Sequence, residues 1–279
     1  MNENRPSGDF AQNTRSGIKQ GINWIVLGTR TVLDRKPLWF GMTAVYFVLG
    51  FLLKQIPFMG DLLLVLITPT LLAGVVWGRA QENQARPVEE AGISSPSAPG
   101  LFQAWVTGPI QELLRIFRQD DKVFGAGLLG IITLVLATLV KFTGDLLIGG
   151  SMISGLAASQ LSAPQTGTLV GMLVVAVLYV ILAMALFYSV PLTVLGNRQP
   201  LLAISDSFSM CRKNAPALLT LTVPFFIMYL VILAAFAEYH WLGYLLVISV
   251  GFVALPLFIA SALSSYLCLS PCTPSGAPP

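Results

Sequence analysis

Six stretches of the chain are apolar for long enough to cross a bilayer: residues 37–53, 62–78, 123–140, 167–195, 216–237 and 241–267. None of them contains Asp, Glu, Lys, Arg or His. A hydrocarbon core about 30 Å thick needs about 20 apolar residues in a helix, and about 17 at the short end. The bilayer offers no water to the backbone, so each stretch must satisfy its own N–H and C=O groups and is predicted as a helix. The short alternating strands of a transmembrane barrel are absent.

Between these spans the period changes to that of an amphipathic helix. Ile18, Ile22, Ile25, Val26, Val32 and Leu33 fall on one face, with Lys19, Asn23 and Arg30 on the other. A second segment opens at Gly108-Pro109, a helix start, and places Ile110, Leu113, Leu114 and Phe117 opposite Gln111, Glu112, Arg115 and Arg118. A third sets Leu201, Ile204, Ser205 and Phe208 against Asp206, Ser209, Arg212 and Lys213. Such segments are expected to lie in the membrane interface, apolar side toward the acyl boundary and cations toward headgroups.

The order amphipathic helix, basic turn, two spans occurs three times, which predicts an internally triplicated chain. Phe58-Met59-Gly60-Asp61-Leu62-Leu63 matches Phe142-Thr143-Gly144-Asp145-Leu146-Leu147, and Trp241-Leu242-Gly243-Tyr244-Leu245-Leu246 is a weaker third copy. These are read as outer-hairpin turns, with Gly60, Gly144 and Gly243 permitting the turn and Asp61 and Asp145 capping the returning helix. Pro69, Pro191 and Pro256 stand in the second span of each unit. A proline there removes one backbone hydrogen bond and kinks the helix, to gate a path or, as expected here, to let helices splay. The expected fold is therefore an all-α polytopic bundle of six transmembrane helices in three units. Residues 1–17 are read as a disordered N-terminus, 18–80 as unit one and 81–100 as a flexible linker. Residues 101–199 form unit two, with a long outer loop at 149–166; 200–270 form unit three, and 271–279 a flexible tail.

Composition agrees with the pattern. Of 279 residues 55% are hydrophobic and only 10% charged, against about 25% charged in a soluble domain; mean hydropathy is +0.76. Residues 1–17 are polar and the first long apolar run begins after Lys36, so no secretory signal peptide is expected. Of the 16 Lys and Arg, only Lys54 and Lys141 fall in the hairpins that follow spans one, three and five. The rest lie on the other side, which predicts that both termini are cytoplasmic. A net charge of +3 is too small and dispersed for a nucleic-acid surface.

Candidate chemistry is sparse. There is no G-x-S-x-G elbow, phosphate loop or H-E-x-x-H, so no catalytic, cofactor-binding or metal-binding residue is assigned and the chain is not expected to be an enzyme. One histidine, His240, near Glu238, reads as part of a solvated turn. An outer-face cation site from Asp61, Asp145 and Glu238 has no spacing to support it. Cys211, Cys268 and Cys272 give no disulfide framework. The absence of ionisable residues within the spans argues against ion-coupled transport. The G-x-x-x-G pairs Gly17/Gly21, Gly74/Gly78 and Gly167/Gly171 are no more than 25 glycines give by chance. What remains is the basic set Arg35, Lys36, Arg118, Lys122, Arg212 and Lys213, which either meets anionic headgroups or only enforces topology.

Several short motifs resemble a family of uncharacterised six-span inner-membrane proteins of proteobacteria, of the Burkholderia and Bordetella type. They are Arg35-Lys36-Pro37-Leu38, Ile56-Pro57-Phe58-Met59-Gly60, the run Pro69 through Gly74, the run Phe187 through Asn214, and Leu257-Phe258-Ile259-Ala260-Ser261 to Ser265-Tyr266. The resemblance implies the bacterial inner membrane and the six-span fold, and carries no activity or site residue with it. The function expected is non-catalytic binding of membrane lipid, or of a membrane-protein partner or homo-oligomer, through the interfacial helices. The alternative is a passive channel or exporter for a small solute, lined by Thr68, Thr70, Tyr188, Ser189 and Thr193.

Overall fold

Prolines start most of the helices at the end of the bundle where the cations gather, and from there the chain runs out and back three times. The computed structural model describes residues 7–56, 59–85, 102–156 and 166–269. Among the described residues every regular element is helical: α1 (Ser7–Asp34), α2 (Lys36–Lys54), α3 (Met59–Ala85), α4 (Gly108–Leu114), α5 (Asp120–Leu156), α6 (Thr166–Phe187), α7 (Ser189–Val194), α8 (Pro200–Lys213), α9 (Ala215–Glu238) and α10 (His240–Leu269). A wide turn of π-helix, Gln103–Thr107, leads into α4, and a 3₁₀ turn, Arg115–Arg118, leads out of it. Pro37, Pro109, Pro200 and Pro216 occupy the first turns of α2, α4, α8 and α9, where the missing N–H costs no hydrogen bond. Six helices are long and apolar enough to cross a membrane: α2, α3, α5, α6 continued by α7, α9 and α10.

The helices overrun the apolar stretches that predict them. The first helix begins at Ser7, inside the segment expected to be disordered. Likewise α3 continues through Gln81–Ala85 and α5 through Gly149–Leu156. Once nucleated, a helix adds one hydrogen bond per residue and needs no lipid to propagate. Gly144 and Asp145 thus stand inside α5 and not in a turn; Gly144 is covered by α6, whose Val175 lies at ordinary contact distance. Residues 1–6, 86–101 and 157–165, the tail from 270 including Cys272, and Phe58 of the hairpin motif lie outside the described residues, as do the side chains of Asp61, Glu238 and His240.

Two of the amphipathic helices lie across a pair of spans: α4 packs on α2 and α3, and α1 on the last pair, α9 and α10. By contrast α8 lies mainly along the single span formed by α6 and α7, with a smaller contact to α5. Small residues make these contacts close. A Cβ built on Gly17 would come 2.9 Å from Pro216, and one on Gly21 2.7 Å from Thr220. One on Gly28 would collide with the side chain and backbone of Ser261. Gly74 and Gly78 of α3 give the same room to Leu113 and Glu112 of α4. On α8 the buried residues are Ala203, Ser207 and Cys211. Two of the three G-x-x-x-G pairs therefore mark helix contacts.

Three apolar clusters form around these docking lines: Trp24 with Tyr188, Leu221 and Tyr266; Val32 with Trp39, Leu71 and Leu113; and Ile116 with Val76, Leu129 and Val194. They lie toward the basic end. Toward the opposite end Phe51, Tyr244 and Ile248 are exposed. Gly28→Leu is expected to lower stability by about 1–3 kcal/mol through overpacking, read as a lower thermal midpoint in detergent. Gly127, which has open space around it, should tolerate Ala or gain about 0.5–1 kcal/mol.

Candidate functional site at the basic end of the bundle

The apolar faces read from the sequence are divided by the structure: Val32 and Leu113 are buried and Ile25 and Ile204 pack against the core, while the remaining large residues of α1 and of α4 with the turn after it are turned outward. On α1 the residues Gly21, Trp24, Gly28 and Val32 are buried, while Ile18, Ile22, Val26 and Leu33 are exposed. On α4 and the turn after it Pro109, Leu113 and Ile116 are buried, while Ile110, Leu114 and Phe117 are exposed. On α8 Leu201 and Leu202 are exposed opposite Ala203. An apolar stripe is thus turned outward on α1 and on α4, and α8 exposes two leucines in its first turn.

Of the six cations singled out, Lys36, Arg118, Arg212 and Lys213 are exposed and Arg35 is half-buried beside the start of α2. Arg212 and Lys213 occupy the last turn of α8, where they also favour the negative end of its dipole. Lys122 differs. Its Nζ donates to the Val194 carbonyl at 2.6 Å and to Asn197 Oδ1 at 3.2 Å, and sits 3.9 Å from the centre of the Trp77 ring. It caps the end of α7 and fixes α5 to α3. Asn197 holds the turn beyond α7 at φ 50°, a left-handed conformation that asparagine tolerates better than most residues. The Arg198–Asp206 pair, at 4.0 Å and exposed, contributes little.

The most closely determined polar contact joins α8 to a break in span four. Pro191 lies one turn beyond Tyr188, where α6 ends and α7 begins. Ser207 Oγ donates to the Met184 carbonyl at 2.9 Å and accepts from the Tyr188 N–H at 2.9 Å. The hydroxyl is thereby inserted between the partners of what would be an i→i−4 helical bond, a recognised cause of a kink. Cys211 Sγ donates to the same Met184 carbonyl at 3.3 Å. Burial pushes its thiol up to about 11, with a smaller opposing effect from Ser207, so it remains a donor at neutral pH. The Tyr188 hydroxyl meets Ser265 Oγ at 2.8 Å, and Ser265 donates onward to Ala262.

The remaining candidates are distributed rather than convergent. Gly60 and Gly243 lie in the first turns of α3 and α10, and Gly60 packs directly against the Leu53 carbonyl. Asp145 is exposed. Pro69 and Pro256 are buried within α3 and α10, and Pro191 within α7. A further in-span proline, Pro224 of α9, was not among those singled out. Among the hydroxyl residues considered for a pore, Thr68 and Ser189 share one cavity of about 280 Å³. Their hydroxyls donate to Leu64 and Leu186 carbonyls. Thr193 likewise donates to Ser189, and Tyr188 is taken up by Ser265. Among the described residues no group of three His, Cys, Asp or Glu is placed to hold a metal. Ser207 and Arg79, near the basic cluster, were not anticipated; the Ala203/Ser207/Cys211 spacing was the signal for the first.

Comparison with family models, with curated proteins and with solved structures returns no match to this chain. The site is accordingly defined by its own geometry: six membrane-spanning-capable helices with a docked layer of amphipathic helices. Ser207→Ala leaves the buried Tyr188 N–H unpaired and the Met184 carbonyl with Cys211 alone, and should cost about 1–3 kcal/mol, measured by denaturant unfolding in micelles. Ser205→Ala, on the exposed side of the same helix, should stay within about 0.5 kcal/mol of the parent.

Proposed function

We propose that the chain is a non-catalytic, multi-pass protein of a bacterial inner membrane, with both termini cytoplasmic, that binds anionic lipid through α1, α4 and α8. The observation that carries this is the apolar surface left outward. Both α1 and α4 are already packed against the spans, yet each keeps large aliphatic or aromatic residues exposed beside an exposed cation, and α8 exposes Leu201 and Leu202 in its first turn and Arg212 and Lys213 in its last. A surface of that kind suits the acyl–headgroup boundary. Each cation near an anionic surface is worth about 1 kcal/mol.

Docking of α4 across α2 and α3 and of α1 across α9 and α10 supports units of one amphipathic helix and two spans. The resemblance to uncharacterised six-span proteobacterial proteins supports the inner-membrane location. The non-catalytic reading is supported by the lack of ionisable residues in the spans and of any recognised nucleophile or metal motif. A membrane-protein partner or a second copy would compete for the same outward faces.

The test is lipid enrichment in nanodiscs of mixed phosphatidylglycerol and phosphatidylcholine, read by native mass spectrometry. Reversing Arg212 and Lys213 to Glu together should reduce phosphatidylglycerol enrichment about tenfold or more. A reporter fused after Asp145 checks that topology is retained. Undiminished enrichment with correct topology would refute the lipid reading.

A further inference from the structure

We propose that the cavity between α2, α3, α4 and α10 is a binding site for a neutral, benzene-sized ring with one hydrogen-bond acceptor, held by the indole N–H of Trp39. This site lies inside the bundle and is independent of the outward faces assigned to lipid. The cavity measures about 170 Å³. A dry apolar cavity of about 150 Å³ takes benzene, so this one accommodates a single six-membered ring with a small substituent at most. Met42, Leu71, Val75, Leu113 and Ile259 supply apolar wall. Among the described residues no charged side chain lines it, and a charged ligand would lose its water without gaining a counterion.

The polar atoms of the wall narrow the choice. Thr43 Oγ1 donates to the Trp39 carbonyl at 3.0 Å, and Thr68 Oγ1 to the Leu64 carbonyl at 2.6 Å. That leaves the Tyr46 hydroxyl to donate to Thr68, 3.1 Å away. The hydroxyl protons are thus spent within the protein. Trp39 belongs to the same wall and is 2% exposed, yet its indole N–H has no hydrogen-bond partner. A buried tryptophan N–H usually finds one. The Arg79 guanidinium carbon lies 5.9 Å from the centre of the Trp39 ring. Such a contact engages the ring face, whereas the N–H lies in the ring plane.

One donor therefore remains for a ligand. Water is a poor occupant of so apolar a space, because it needs about two to four polar partners. A ring bearing one carbonyl or aromatic nitrogen pairs the N–H with a single atom and gives the rest of its surface to the apolar wall. Pairing a buried donor that is otherwise unsatisfied is the largest polar gain the cavity offers. Tyr46 and Thr68 are only half-buried, so a ligand dissolved among the lipid tails reaches the cavity at the level of the spans.

The test uses 3-fluoropyridine and fluorobenzene, rings of the same shape that differ in one acceptor and are both uncharged at neutral pH. With the intact chain in micelles, fluorine NMR should show saturable binding of each, lost in Val75→Phe, which fills the cavity. Trp39→Phe should keep fluorobenzene binding and weaken 3-fluoropyridine about tenfold; partition into detergent cancels in the ratio of the two affinities. A reading that needs no variant comes from the wild-type chain, isotope-labelled at its five tryptophans. One indole N–H signal should move downfield with 3-fluoropyridine and stay in place with fluorobenzene. No saturable binding of either ring to the wild-type chain would overturn the site. So would binding of both rings with no indole N–H shift, or a ratio of affinities unchanged in Trp39→Phe.

Discussion

The close backbone approach of α1, α4 and α8 to the spans is the constraint on which the rest of the structure depends. Inside a bilayer there is little hydrophobic gain in bringing apolar helices together, because lipid tails are as apolar as leucine. Association relies on close packing, and close packing requires small residues at the contact. Gly17, Gly21 and Gly28 on α1 and Gly74 and Gly78 on α3 meet that need by having no side chain. Ala203, Ser207 and Cys211 meet it on α8. Because α1 reaches the last span pair, the N-terminal helix joins the two ends of the chain. The apolar core follows these docking lines and is concentrated toward the basic end.

Polar groups within this layer act as ties at interrupted helices. Pro191 stops the regular ladder of span four, and Ser207 from α8 bridges the opened pair. Lys122 closes the far end of the same segment through the Val194 carbonyl. Both contacts operate where competing water is scarce, which raises the cost of leaving their partners unpaired. A lysine that looks in sequence like one more topological charge is thus partly a helix cap, whereas Lys36, Arg118, Arg212 and Lys213 remain on the surface.

The six spans were legible from residue pattern because hydrocarbon excludes ionisable side chains so strongly that their absence marks each segment. The existence of the amphipathic helices was legible for a related reason: the 3.6-residue period of Ile18, Ile22 and Val26 is plain. Their inward faces were not. On α8 the inward stripe of Ala, Ser and Cys has almost no hydrophobic signature, and on α1 and on α4 with the turn after it the inward Trp24, Val32, Leu113 and Ile116 are not separable by period from the residues turned outward. Helix ends were also obscured. Gly144 and Asp145 carry turn-forming chemistry, but α5 runs through them because its backbone hydrogen bonds continue on both sides. Arg79 and Trp39 are far apart in sequence, and only the return of α3 beside α2 brings them together.

Docking of α1 on the final span pair can be tested by cross-linking. In a chain with its native cysteines replaced by serine and a protease site placed between residues 86 and 100, Gly17→Cys is combined with Pro216→Cys. The built Cβ separation of 2.9 Å is close to disulfide reach, which is about 3.5–4.5 Å. After mild oxidation and cleavage, the two fragments should stay joined on a denaturing gel and separate on adding reductant, whereas Gly17→Cys with Ile248→Cys, exposed on α10 toward the end away from the cations, leaves them separate. Fragments that separate without reductant, in protein that is inserted and folded, would contradict the docking on which this account is built.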